Sequence, residues 1–236
     1  MNDMKNVFIF ENIKTVCRNI ARASLMANRC PSEVHLVVVT KTVDAAAIRA
    51  AVDSGLRLFG ENRVQEAKNK ILSDEVHAIP EKLEWHLIGH LQKNKARDAV
   101  QLFELIHTVD SIELAEELDK QAEKIGKIQR VLIQVKLAAE ETKHGVSERG
   151  LPELLEKTAQ MRHLRLEGLM TIPPYLENVK DVIPYFRRLR ELRDEAEKNG
   201  YRLPELSMGM SHDYEAAIEE GATMVRIGTA IFGERC

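Results

Sequence analysis

Aromatic residues are scarce in this sequence, at 5%, which argues against a surface that stacks nucleobases. A dominant charge is also lacking: 34 Lys and Arg stand against 37 Asp and Glu, a net charge of −3. No bulk field therefore favours nucleic acid or an anionic membrane. No stretch approaches the roughly 20 apolar residues that span a bilayer. Glu11 and Lys14 interrupt the N-terminal segment before a signal-peptide core forms. The three cysteines, Cys17, Cys30 and Cys236, lie far apart in no metal or redox spacing. These deficits predict a protein of a reducing, cytoplasmic compartment with no metal site and no nucleic-acid or membrane partner.

What is present is ordinary in bulk: 44% hydrophobic and 30% charged residues describe a globular chain. Phe10, Ile13, Cys17, Ile20 and Ser24 fall at helical spacing and predict an N-terminal helix. Eight short runs follow that read as strands: His35–Val39, Leu56–Phe59, Glu84–Ile88, Leu105–Val109, Arg130–Lys136, Arg165–Met170, Glu205–Met208 and Thr223–Ile227. Helical patterns separate them. Asp110-Ser111-Ile112-Glu113 reads as a capping box opening one helix. Val182, Tyr185, Leu189, Leu192 and Ala196 form the apolar stripe of another, closed by Gly200. Eightfold strand–helix alternation predicts an α/β fold: a single (β/α)8 TIM-type barrel domain over residues 1–236 with an extra N-terminal helix. An open doubly wound sheet is the alternative.

A barrel of this kind places its site at the C-terminal strand ends, with phosphate often held after the seventh and eighth strands. The residues there are Thr40-Lys41-Thr42 after the first strand, Gly60-Glu61-Asn62 after the second and Gly89-His90 after the third. The seventh delivers Ser207 to Ser211, and the eighth Gly228-Thr229. Lys41 follows an apolar run from Leu36 to Val39, where desolvation favours a neutral amine, a nucleophile for an aldehyde. The bland reading is a lysine snorkelling from a strand end. Gly228 and Thr229 offer backbone N–H groups and a hydroxyl, and Ser207 and Gly209 offer a second such turn. With the positive end of the helix after Ser211, they suit a phosphate dianion. Ser211 alone reads equally as an N-cap, and Gly209 as a turn glycine. Arg226 shares a side with Gly228 and points inward. It would donate there to a ring nitrogen, or sit in an ion pair with Glu61 or Glu234.

Four segments carry a resemblance: Val38-Val39-Thr40-Lys41-Thr42, Leu58 to Glu66, Trp85 to Lys95, and the long run from Leu206 through Ser211 and Arg226 to Gly233. In order, and over nearly the whole chain, they resemble the pyridoxal-phosphate homeostasis protein family, which has the alanine-racemase-type barrel without that enzyme's second domain. The resemblance implies pyridoxal 5′-phosphate (PLP) as cofactor, a Schiff base on Lys41, phosphate at Ser207, Gly228 and Thr229, and Asn62 beside it. Following the related racemase fold, it implies Arg226 at the ring nitrogen. The implied role is vitamin B6 homeostasis, in which a monomer stores, buffers or delivers PLP to PLP-dependent apoenzymes without turnover. A racemase is the alternative. It needs a second acid–base group facing the carbanion, which a separate domain helps supply in the racemase relatives, whereas this chain ends at Cys236. The chain departs from the family pattern at Thr40, where serine is usual, at Val43-Asp44, where Lys-Pro is frequent, and at His212, where aspartate or another small residue is frequent.

Other residues carry less. His86 and His90 bracket the third strand with no third ligand at metal spacing, and read as structural or rim residues. Lys93, Lys95 and Arg97 read as a solvated helix face. Lys136 and Lys143 follow the fifth strand and are secondary candidates for touching a bound vitamer.

Overall fold

Runs such as Leu36-Val37-Val38-Val39 are apolar at successive positions, so a strand formed from them must be covered on both faces. In the computed structural model, which describes residues 2–138 and 144–234, such runs form parallel strands. These are β1 (His35–Val39), β2 (Leu58–Glu61), β3 (Glu84–Leu87), β4 (Leu105–Val109), β5 (Gln129–Lys136), β6 (Val146–Ser147), β7 (Leu164–Met170), β8 (Glu205–Met210) and β9 (Met224–Ile227). β1 pairs with β9 and β4 with β5, so eight strands close into the ring β1-β2-β3-β4-β5-β7-β8-β9. Closure bears out the barrel and excludes the open sheet. The two-residue β6 pairs with β5 at Val135 and Lys136, outside the ring. Two residues carry no periodicity to read, so the sequence analysis has no strand there.

The surrounding helices are α1 (Asn2–Met26), α2 (Ala45–Asp53), α3 (Val64–Ile71), α4 (Asp74–His77), α5 (Ala96–Leu102), α6 (Ile112–Lys124), α7 (Leu151–Ala159), α8 (Ile183–Lys198), α9 (Tyr214–Glu219) and α10 (Thr229–Phe232). Helix α1 buries Ile9, Ile13, Val16, Ile20 and Ala23. That stripe is rotated from the expected one, because Phe10 is 42% exposed and Cys17 is exposed. The aliphatic stripe wins where α1 docks: Asn19 donates to Tyr214 Oη at 3.1 Å and Asn12 to the Ile231 carbonyl at 2.9 Å. Helix α6 is capped by Ser111, whose hydroxyl accepts from Leu114 N–H at 3.3 Å. The cap is one residue later than expected, which leaves the Asp110 carboxylate outside the helix. No helix among the described residues is long and apolar enough to cross a membrane.

Period-two alternation sorts the ring into an inside and an outside. Val37, Val39, Ile88, Leu105, Leu132, Met170 and Met224 cluster inside. Val38, Phe59, Leu87, Ile106, Val131, Leu169, Leu206 and Val225 belong to the cluster shared with the helices. Where β7 meets β8 the backbones touch: a Cβ on Gly168 would lie 1.9 Å from the Glu205 carbonyl oxygen. Gly168→Ala must part the two strands, and we expect a loss of at least about 3 kcal/mol, the upper end of ordinary overpacking. Gly200→Ala, at φ +94° with nothing within 4 Å, is the control. It should cost only roughly 1–2 kcal/mol of backbone strain. Urea denaturation midpoints decide between them, and equal losses would refute the close-approach account.

Candidate functional site

The seventh barrel strand, β8, does not stop at Met208 but runs to Met210. It passes a register shift between Ser207 and Met210. Gly209 makes this possible: its φ is +90°, and a Cβ there would lie 2.6 Å from Ala217 Cβ on α9. Ser207 is therefore mid-strand and fully buried, not in a turn at the rim. Its hydroxyl accepts from Arg226 Nη1 at 2.6 Å and meets His107 Nδ1 at 2.8 Å. This corrects the turn expected at Ser207: the residue is mid-strand, and its hydroxyl is engaged on both sides inside the barrel.

The contact is one link of a longer chain. His107 Nε2 lies 2.9 Å from His86 Nδ1, and His86 Nε2 lies 3.0 Å from Glu84 Oε1. Arg130 then donates to Glu84 and to Glu167, each at 2.8 Å. The Glu84 carboxylate only accepts, so His86 donates to it from Nε2 and accepts at Nδ1. His107 must then donate from Nε2 and accept at Nδ1, and the Ser207 hydroxyl must donate to His107 while accepting from Arg226. One direction of hydrogen bonding satisfies every member with both imidazoles neutral. Burial pushes the His107 pKa far below its ordinary value, and pushes His86 down less because Glu84 opposes it. The His86 hydrogen bond holds the Glu84 carboxyl down, at about 2.

Arg226 ends the chain, its Nη2 donating to the Thr171 carbonyl at 2.8 Å. Burial lowers its pKa to about 10 and the Asp213 charge opposes the shift, so it stays protonated at neutral pH. Glu61, one alternative partner weighed above, instead accepts from Thr40 Oγ1 at 2.6 Å and pairs with Lys70. His107, the pivot of the chain, was missed by sequence reasoning. Only period-two counting along β4 would have aimed it inward beside Leu105.

Lys41 follows β1 with the same parity as the inward Val37 and Val39. It is exposed, so the dry setting expected for it is absent. Its turn is firmly tied instead. Val43 N–H donates to the Thr40 carbonyl at 2.9 Å, and Lys70 donates to the same carbonyl at 2.6 Å. Thr42, at φ +59°, donates its N–H to Glu66.

Across from that turn, the Gly228 and Ala230 N–H groups both donate to Ser211 Oγ at 3.3 Å. Ser211 is thus no N-cap; it bridges the end of β8 to the start of α10. Gly228 is buried and Thr229 exposed. Helix α9 offers an anion little, because buried Asp213 sits at its start and accepts from Met210 N–H at 2.6 Å. β9 lies between β8 and β1, so Lys41, Ser211, Gly228 and Thr229 rise from three adjoining strands with Arg226 beneath. Asn62 follows β2, the next strand round, half-buried, its carbonyl against Gly89. His212 is exposed, Lys136 is half-buried at the end of β5, and Lys143 lies outside the described residues. Two hydroxyls, paired backbone amides, one amine and a buried cation fit a phosphorylated aldehyde with a basic ring nitrogen.

Comparison with known proteins places this barrel in a class. Residues 14–236 match the family model described as alanine racemase, N-terminal domain. Solved alanine racemase from Clostridium difficile shares the fold, with TM-score 0.72 at 17% identity over 95% of this chain and 57% of that one. The chain belongs, more narrowly, to the pyridoxal phosphate homeostasis protein family. It is 49% identical over 228 residues to the member from Aquifex aeolicus, covering 95% of this chain and 97% of that protein. It is 41% identical over 239 residues to the one from Escherichia coli, covering 100% and 98%. PipY of Synechococcus elongatus, solved with PLP bound, superposes with TM-score 0.84 at 39% identity, covering 95% of this chain and 100% of that one.

The buried histidines predict a pH dependence of stability. Both have folded-state pKa values lowered from the ordinary 6.5, so below that pH the unfolded chain binds protons that the folded chain refuses. Stability should be full above about pH 6.5 and fall as pH drops below it, by up to roughly 1.4 kcal/mol per pH unit for each imidazole. Glu84 acts in a lower window, losing its contribution only as pH falls from 4.5 towards about 2. Denaturation followed from pH 8 to pH 5 measures the slope. His107→Gln should flatten it by about one proton; an unchanged slope would refute the neutral-imidazole assignment.

Proposed function

We propose that this chain binds PLP through a Schiff base on Lys41 and serves PLP homeostasis without turnover, storing, buffering or delivering the cofactor. What carries the reading is the buried cation Arg226 beneath a cup of Ser211, Gly228 and Thr229. The cup supplies hydroxyl and backbone donors to phosphate, and Asn62 flanks the mouth. Arg226 is donor-only, so a pyridine nitrogen facing it accepts a hydrogen bond and stays unprotonated, which weakens the ring as an electron sink. Support for PLP comes from PipY, which was solved with it, and from the relatives' name. In this proposal the chain is one cytoplasmic, monomeric barrel domain, and PLP-dependent apoenzymes are the recipients.

The purified protein should be yellow, and borohydride should fix the cofactor on Lys41; an adduct on another lysine would sink the assignment. Solvent deuterium should not enter Cα of L- or D-amino acids at enzymatic rates, on the order of 1–10³ per second. Exchange that fast would make the racemase reading the better one.

Serine substitutions separate the cup from the relay. Ser211→Ala and Thr229→Val each remove a hydroxyl from a charged acceptor and should weaken PLP binding about 10- to 100-fold, roughly 1.5–3 kcal/mol. Pyridoxal, which lacks the phosphate, should barely respond. Ser207→Ala should shift the visible band and affect the two vitamers equally. A phosphate-selective loss at Ser207, with none at Ser211, would restore the placement expected from sequence.

A further inference from the structure

His90, read from sequence as a rim residue for want of a third ligand, has two partners in the fold. Asp110 follows β4 and His144 follows β5, so three consecutive strands of the ring deliver all three residues to its C-terminal end. One donor atom from each lies within 4.8 Å of the other two. None of them belongs to the cup, the Lys41 turn or the Arg226 chain.

The geometry is not that of an ordinary hydrogen-bonded cluster. The His90 and His144 rings stack with centroids 3.5 Å apart and planes 8° from parallel. His90 Nδ1 stands 3.5 Å from Asp110 Oδ2, long against the usual N–H···O distance of about 2.9–3.0 Å. It is close to the ligand–ligand edge of about 3.3–3.4 Å implied by tetrahedral bonds of about 2.0–2.1 Å. The Asp110 side chain is 15% exposed and that of His90 35%, so the carboxylate is backed by protein and the opening faces solvent.

The backbone around the rings is fixed while the rings themselves are exposed. A Cβ on Gly89 would lie 2.2 Å from the Asn62 carbonyl oxygen, and the Gly89 carbonyl accepts from Thr108 Oγ1 at 2.9 Å. The His144 carbonyl accepts from Gln134 Nε2 at 2.9 Å. Gly145, at φ +131°, packs so that a Cβ would lie 2.8 Å from Lys136 N. Closing the triangle to tetrahedral edges then takes only a turn of the exposed imidazoles about their side-chain bonds.

We propose that His90, Asp110 and His144 form a binding site for a zinc-class divalent cation, with its fourth position open at the barrel mouth. Two imidazoles and one carboxylate are a donor set for a borderline cation, whereas Mg²⁺ and Ca²⁺ take oxygen ligands. Three protein ligands leave a position for water or a small ligand. The site shares no residue with the PLP proposal, so each stands without the other.

The test uses the full chain, stripped with a chelator and titrated with Zn²⁺ and, for its colour, Co²⁺. One equivalent of Zn²⁺ should bind, and Co²⁺ should give the intense visible bands of a four-coordinate ion. His90→Ala, Asp110→Asn and His144→Gln should each lower Zn²⁺ affinity by at least roughly 10- to 100-fold, the loss seen when even an outer-shell partner is removed. His163→Ala, at the opposite end of the barrel just before β7, should leave it unchanged. Lys41→Ala should also retain the metal, showing that it is not held through bound PLP. Absence of stoichiometric Zn²⁺ uptake overturns the proposal. So does uptake that survives all three substitutions, or the pale spectrum of six-coordinate Co²⁺.

Discussion

Arg226 carries its charge inside an apolar barrel, and much of the interior is arranged around it. A buried cation left without partners costs several kcal/mol. A carboxylate in direct contact would meet that cost but would also cancel the positive potential at the mouth. The barrel uses neutral dipoles instead: Ser207 Oγ at 2.6 Å and the Thr171 carbonyl at 2.8 Å. Ser207 points its lone pair correctly because His107 accepts its hydrogen bond, and His107 does so because His86 and Glu84 set the tautomers. The negative end of the relay is thus at the strands' N-terminal end, where Arg130 compensates it. Arg226 keeps its field facing the mouth.

The fold was legible because parallel barrel strands must be apolar on both faces, and runs such as His35–Val39 and Leu105–Val109 match their strands residue for residue. Lys41, Gly228 and Thr229 were legible for a related reason: polar residues directly after such runs stand at the C-terminal ends by construction. The misplacement of Ser207 arose at Gly209. A glycine after Ser207-Met208 reads as a turn, but here its positive φ serves a bulge that carries β8 to Met210. Turn and bulge ask for the same residue, and only the partner strand distinguishes them. Once β8 is longer, the serine at its end is Ser211, which sequence reasoning also held as an N-cap.

Other residues were hidden for a different reason. His107 is the middle residue of one five-residue strand and Asp110 directly follows it, whereas His144 lies 34 residues beyond Asp110 in the chain. No local spacing joins His90, Asp110 and His144, because their proximity depends on the lateral order of β3, β4 and β5. Asp110 was further obscured by the apparent capping box. The helix takes Ser111 as its cap, and the carboxylate that seemed committed to a helix end is left to face an imidazole.

The ring therefore divides its mouth by polarity. Over β8, β9 and β1 stand backbone amides, hydroxyls and an amine, above a guanidinium, groups that favour an anion, with the Asp213 carboxylate set back and engaged by the Met210 N–H. Over β3, β4 and β5 stand a carboxylate and two imidazoles, which favour a cation. The division follows from which side chains each strand points inward. Arg226 on β9 takes its dipoles from Ser207 on β8 and from Thr171 just after β7, and the histidines that orient Ser207 enter from β4 and β3, so those two strands bring basic nitrogen into the barrel. Their terminal loops continue the pattern with His90 and Asp110, but outside the dry interior, with the His90 ring open to solvent. One closed sheet thus holds a fixed positive charge on one side of its mouth and a cluster of two imidazoles and a carboxylate on the other, and the buried His86–His107 pair spans the interior between them.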